Sequence, residues 1–214
     1  MGGKPVTERI IRDAADVAEG AAWLAKHEPR FAPFVDQLSP LPLRLKPDGF
    51  GALMHAILGQ QVSVASANAT WAKLEAAQMT GAQVIAAQTP QTLRDLGLSQ
   101  QKARYVQALA AADIDYDGLH GLPSDDVIKT LTAVPGIGAW TAEVYTMFSL
   151  GRADVFAPGD LALQEGARMI FGLPARPSDK ALRAMAQAWT PWRSVAARII
   201  WAYYGATRKK DGIL

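Results

Sequence analysis

Leu131-Thr132-Ala133-Val134-Pro135-Gly136-Ile137-Gly138-Ala139-Trp140-Thr141-Ala142 is the stretch that decides how this chain folds. Proline fixes one backbone angle and the two glycines permit left-handed or close-approach geometry, so the chain can reverse within a few residues. Ser124 with Asp125 and Asp126 opens a helix that ends near Val134. A second helix starts after Gly138 and carries Trp140, Val144, Tyr145 and Phe148 as its apolar residues. The first amides of that second helix have no partner within it. With Gly136 and Gly138 offering no side-chain obstruction, they form a ready site for a phosphate, read through backbone alone. A helix–turn–helix corner without a ligand has the same local signature.

Outward from this hairpin the pattern stays helical, and period-two alternation is almost absent. Asp13 is expected to cap a helix that Pro29 closes, and a short helix follows around Phe31 to Leu38. Ser39-Pro40-Leu41-Pro42-Leu43-Arg44-Leu45-Lys46-Pro47 resists helix, because its prolines push their predecessors into extended geometry. It reads as an ordered strap or a boundary. Helical spacing resumes from Phe50 to Leu58, and Gly59-Gln60-Gln61 breaks it before Ser63 caps the next helix. Thr80 and Thr89 look like further caps, Gly97 ends a helix, and Ser99 starts one running to about Ala112. The remaining helices are expected from Pro158 to Phe171, Ser178 to Trp189 and Pro191 to Tyr204. Trp189 and Trp192 read as core.

The chain has 214 residues, half of them hydrophobic, enough for one sizeable core or two small ones sharing a cleft. Its net charge of +2 does not advertise a polyanionic partner. The absence of cysteine excludes disulfides, thiolate metal sites, thiol nucleophiles and iron–sulfur clusters. No apolar run is long enough to span a membrane, so a soluble cytoplasmic protein with no membrane partner is expected.

Further motifs narrow the reading. Asp154-Val155-Phe156-Ala157-Pro158-Gly159-Asp160 follows the hairpin after one helix. Ile57-Leu58-Gly59-Gln60-Gln61-Val62-Ser63, Leu96-Gly97-Leu98-Ser99 with Lys102-Ala103, and Trp189-Thr190-Pro191-Trp192-Arg193-Ser194 with Trp201 stand in a fixed order around it. Together they resemble the helix-hairpin-helix (HhH-GPD) DNA glycosylase superfamily, and within it the 3-methyladenine DNA glycosylase II type. The resemblance runs from about Leu43 to Tyr204 and lacks the extra N-terminal β-rich domain of larger members. It implies an all-α, two-lobed fold with the active-site cleft between the lobes. One lobe would comprise about 1–49 plus 150–214, the other about 50–149, with the helix-hairpin-helix at 124–149.

The same resemblance implies roles. Asp160 becomes the catalytic carboxylate. Breaking an N-glycosidic bond generates positive charge on the sugar, which a fixed carboxylate stabilises while water attacks. On its residues alone, Asp160 is equally a helix cap. Trp140 and Trp201 fall on positions whose rings line the pocket for a flipped base, where cation–π attraction favours a positively charged ring. Val144 stands where a close relative has a pocket tyrosine, and Tyr145, adjacent but about 100° away around the helix, is the remaining base-pocket candidate. Gly136, Gly138, Thr141, Gln60, Gln61 and Ser63 fall on DNA-contacting positions. Gln61 is the expected wedge that fills the gap left by the flipped base, although a polar inter-helix turn reads the same way. The carbonyls of Thr132, Val134 and Ile137 match positions that hold a structural monovalent cation. No cofactor is expected for catalysis. Trp140 occupies the position of the lysine that bifunctional members use for strand cleavage, so hydrolysis without lyase activity is expected. Glu143 and Glu165 lie nearby in sequence without a motif claim and are as readily read as solvated.

The function this implies is excision of 3-methyladenine and related cationic bases from damaged double-stranded DNA by a nucleoid-associated monomer, leaving an abasic site. Two alternatives stay open: a passive helix-hairpin-helix DNA-binding module, and a glycosylase for deaminated or oxidised bases.

Overall fold

The computed structural model describes residues 8–210, with side chains described through 208. The fold is all-α, and among the described residues β-pairing is limited to one isolated bridge between Ile10 and Arg152. In chain order the helices are α1 (Ala14–His27), α2 (Ala32–Leu38), α3 (Gly49–Leu58), α4 (Val64–Ala76), α5 (Ala82–Ala86), α6 (Pro90–Asp95) and α7 (Gln100–Ala111). Then come α8 (Tyr116–Leu119), α9 (Ser124–Thr132), α10 (Ala139–Phe148), α11 (Leu161–Phe171), α12 (Asp179–Met185) and α13 (Arg193–Lys210). Single 3₁₀ turns, Pro29–Phe31 and Ala186–Trp189, precede α2 and follow α12.

Local chemistry sets most of the starts. The Asp13 carboxylate accepts from the amides of Ala15 and Asp16 at 2.8 and 3.1 Å. Ser63, Thr89, Ser99 and Ser178 each accept the amide three residues on, which satisfies a donor left unpaired at the helix start. Thr80 does not cap. Gly81 takes the cap position of α5, one residue later than the threonine suggests. The helix expected from Pro158 begins instead at Leu161, because Asp160 is its cap. The one expected from Pro191 begins at Arg193 and runs on beyond Tyr204.

Contacts divide the chain into two units, Met1–Leu45 with Thr146–Leu214, and Lys46–Tyr145. The first is built on α13 and α11, which pack so closely at Gly166 that an added Cβ would lie 2.6 Å from the Ile200 side chain. Its core is aromatic. Trp189 is 1% exposed, stacks on Phe171 at 5.6 Å and meets Phe31 and Phe156 edge-on. Burying a side chain of this size removes about 150–250 Å² from water, worth at most about 4–6 kcal/mol. Trp192 is buried too.

The second unit gathers α3 to α9 and α10 as far as Tyr145 around Leu53, Met54, Ile57, Leu74, Leu93, Val106, Val127 and Leu131, all fully buried. Short loops join these helices, so the hairpin and the Gly59-Gln60-Gln61 tip are carried on the same rigid frame.

Candidate active site

In the second unit, α9 stops at Thr132 and the chain turns through a bond from the Ile137 amide to the Val134 carbonyl at 3.0 Å. Val134 and Ile137 are buried and anchor the turn. Gly136 has φ +95, and a Cβ there would lie 2.4 Å from the Tyr105 ring, so both conformation and space demand glycine. Gly138 is different. It is exposed, its φ is not in the left-handed range, and a Cβ would meet nothing within 4 Å. Folding does not require glycine at that position.

The Gly59-Gln60-Gln61 tip is fastened to this hairpin. Gln60 Nε2 donates to the Gly136 carbonyl at 2.8 Å, and Lys102 Nζ donates to the Leu58 carbonyl at the end of α3 at 2.6 Å. Gln61 is exposed with φ +57, a conformation costly for a side chain other than glycine or asparagine. Between the tip and the hairpin lies a cavity of about 630 Å³ lined by Gln61, Ser99, Lys102, Gly136 and Gly138 among others. Ser63, also exposed, caps α4.

Trp140 stands 46% exposed on the first turn of α10. Two neighbours depart from expectation. Thr141 is only 6% exposed, so little of its side chain reaches the surface. Tyr145 is 5% exposed, and its hydroxyl accepts from the Gly49 amide at 2.9 Å. Burial pushes its pKa up to about 12, with the Gly49 bond pulling the other way. Tyr145 is therefore a core fastener for the start of α3 rather than a pocket residue. Glu143, on the same helix, is 3% exposed and not solvated.

In the first unit, Asp160 sits at the N-terminus of α11, half-buried. Its Oδ1 accepts from the amides of Ala162 and Leu163 at 2.9 and 3.0 Å and from Trp201 Nε1 at 3.1 Å. Capping and a position against an aromatic ring thus belong to the same oxygen. Phe148 leans on the Trp201 ring at 5.7 Å. Glu165, one turn into α11, is paired with Arg168 at 2.7 Å, and that bond holds its carboxyl below the usual range.

Two arginines complete this neighbourhood, and neither was singled out from sequence. Arg44 has φ +56 and holds its guanidinium over the Trp201 ring, 5.5 Å from the centroid. Desolvation lowers its pKa, and the Asp160 carboxylate partly restores it. Arg198 is fully buried on α13 and donates to the Leu43 carbonyl at 3.1 and 2.8 Å and to the Ser194 carbonyl at 3.0 Å. Among the described residues no carboxylate pairs with it. Burial, and then repulsion from Arg44, bring its pKa down to about 10. The signal available in sequence was one arginine inside the apolar run Val195-Ala196-Ala197-Arg198-Ile199-Ile200.

Residues 54–192 match the HhH-GPD superfamily base excision DNA repair protein model, about two-thirds of the chain. The chain belongs to this superfamily, and its resemblance is to the 3-methyladenine type. DNA-3-methyladenine glycosylase 2 of Escherichia coli (strain K12) is 34% identical over 170 residues, covering 72% of this chain and 57% of that protein. The crystal structure of a DNA-3-methyladenine glycosidase from Bacillus halodurans superposes with a TM-score of 0.79 at 30% identity, covering 89% of this chain and 91% of that one. A Schizosaccharomyces pombe 3-methyladenine DNA glycosylase in complex with abasic DNA gives a TM-score of 0.69 at 25% identity, covering 91% and 97%. The chain spans 40% of one curated Bacillus subtilis relative and little over half of the E. coli enzyme. Among the described residues, no helix is long and apolar enough to cross a membrane.

Proposed function

We propose that this chain is a monofunctional DNA glycosylase that hydrolyses the N-glycosidic bond of alkylated bases in duplex DNA. The observation that carries this is the placement of Asp160: a half-buried carboxylate whose Oδ1 is fixed by two helix amides and the Trp201 indole. A carboxylate fixed in this way can stabilise the cationic sugar that forms as the base departs, or direct a water onto it, without reorganising. The similar S. pombe protein has been solved in complex with abasic DNA, the product such a reaction leaves.

The hairpin supplies the grip. Gly138 is not required by folding, so its glycine is best explained by close approach of a phosphate to the amides that open α10. Gln61, strained and exposed on a fastened tip, is the proposed wedge, and Gln60 holds that tip to the hairpin. Trp140 and Trp201 keep the roles of base-stacking surfaces. A structural monovalent cation would rest on the carbonyls of Thr132, Val134 and Ile137. Thr132 closes α9, where helix carbonyls lack partners, and Val134 has a second lone pair beyond its bond to Ile137. The ion would steady the hairpin and take no part in bond cleavage. A tryptophan at position 140 offers no amine for Schiff-base chemistry, so strand cleavage is not expected. The enzyme would act as a monomer in the cytoplasm, on chromosomal DNA.

Incubating the purified protein with methylated duplex DNA tests this. Release of 3-methyladenine, with alkali-labile sites left in an otherwise intact strand, is expected. Tight DNA binding without base release would make the chain a passive binding module.

A further inference from the structure

A base-stacking tryptophan beside a catalytic carboxylate should attract a cationic base, because the ring face and the carboxylate are both negative. In this protein that attraction is already partly answered. Arg44 lies over the Trp201 ring, close enough to Asp160 for the two charges to interact, and among the described residues no carboxylate forms an ion pair with it. The placement is not a casual surface rotamer. The preceding carbonyl, Leu43 O, takes two N–H groups from the fully buried Arg198, which among the described residues has no carboxylate partner. Arg44 itself has a left-handed backbone, φ +56, which turns the strap at this residue. Burying an arginine and straining another backbone both cost stability. Both costs serve the position of one guanidinium.

We propose that Arg44 is a specificity-determining residue that shifts excision toward neutral damaged bases presenting carbonyl or ring-nitrogen acceptors. This rests on the glycosylase reading of the same site. A base with a formal positive charge meets a second cation on the tryptophan ring, which reduces its electrostatic advantage. A neutral base has the opposite need. As its C1′–N bond breaks, the bonding electron pair passes to the base, water delivers hydroxide to C1′, and the remaining proton of that water ends on the departing base. Negative charge develops on the base before that proton arrives. An arginine N–H directed at one of its acceptors stabilises this charge, whereas a cationic base leaves without such help.

The test is single-turnover release from duplexes carrying 7-methylguanine or 3-methyladenine, both cationic, and hypoxanthine or 1,N6-ethenoadenine, both neutral. Arg44→Gln and Arg44→Met remove the charge while keeping the stem, so a folding failure in one leaves the other. Either variant should raise the cationic-to-neutral rate ratio by about tenfold, chiefly by slowing release of the neutral bases. Arg44→Lys should keep the ratio within about threefold of wild type, because it retains the charge. Equal slowing on all four duplexes, with the ratio unchanged, would overturn the proposal and leave Arg44 a structural residue. Absence of release from every duplex by the wild type would instead overturn the glycosylase reading.

Discussion

Trp201 Nε1 donates to Asp160 Oδ1 at 3.1 Å, the same oxygen that receives the second and third amides of α11, those of Ala162 and Leu163. The indole proposed to stack a base is thereby fixed to the carboxylate proposed to act on the sugar. Replacing Trp201 by phenylalanine keeps an aromatic surface and deletes the donor. A hydrogen bond to a charged group contributes about 1.5–3 kcal/mol, so Trp201→Phe should slow single-turnover release roughly ten- to a hundredfold. Affinity for duplex containing an abasic analogue should change by less than about threefold. A loss confined to binding would show that the indole does not position Asp160.

The two hairpin glycines should separate under mutation. Gly136→Ala meets both a positive φ and the Tyr105 ring at 2.4 Å, and should lower unfolding free energy by about 2 kcal/mol or more. Gly138→Ala enters open space and should stay within about 0.5 kcal/mol of wild type. Its deficit should appear in DNA affinity, measured by fluorescence anisotropy. If Gly138→Ala binds DNA as wild type does, the amides of this turn are not the phosphate site.

Alkaline pH reports on Tyr145. Its folded pKa of about 12 stands above the ordinary phenol value of about 10. Between these limits the fold keeps a proton that the unfolded chain has released, so the unfolded state binds fewer protons and stability falls as pH rises. At pH about 11.5 the loss from this group is about 2 kcal/mol. Tyr145→Phe should remove that share, making the decline from about pH 10 shallower in urea denaturation. The variant should be weaker near pH 8, where it lacks the bond to Gly49. Parallel declines in the two proteins would mean that Tyr145 ionises within the fold.

Sequence carried the helices because caps and breakers act locally. Asp13, Ser63, Thr89 and Ser99 cap where the pattern placed them, while Thr80 yielded its position to Gly81. The hairpin and Asp160 were legible through their spacing within an ordered set of motifs. The burial of Tyr145 and Thr141 was not legible, because which side of α10 meets the core depends on helices distant in sequence. Arg44 was hidden for the same reason. It lies in a proline-rich strap without periodicity, and both its ring partner Trp201 and the Arg198 that binds the preceding Leu43 carbonyl come from a helix about 150 residues away. The tip shows a third limit: Gln60 reads as a DNA contact from sequence, but its amide also binds the hairpin it stands beside.

The central claim is that Asp160 carries the chemistry rather than merely capping α11. Asparagine can still cap and can still accept from the Trp201 indole, so Asp160→Asn keeps the fold while removing the charge. The decisive measurement is single-turnover release of 3-methyladenine from methylated duplex by this variant, alongside its affinity for the same DNA. Release slower by at least about a thousandfold, with affinity within a few-fold of wild type, is the expected result. Release at the wild-type rate would contradict the assignment and leave Asp160 a helix cap.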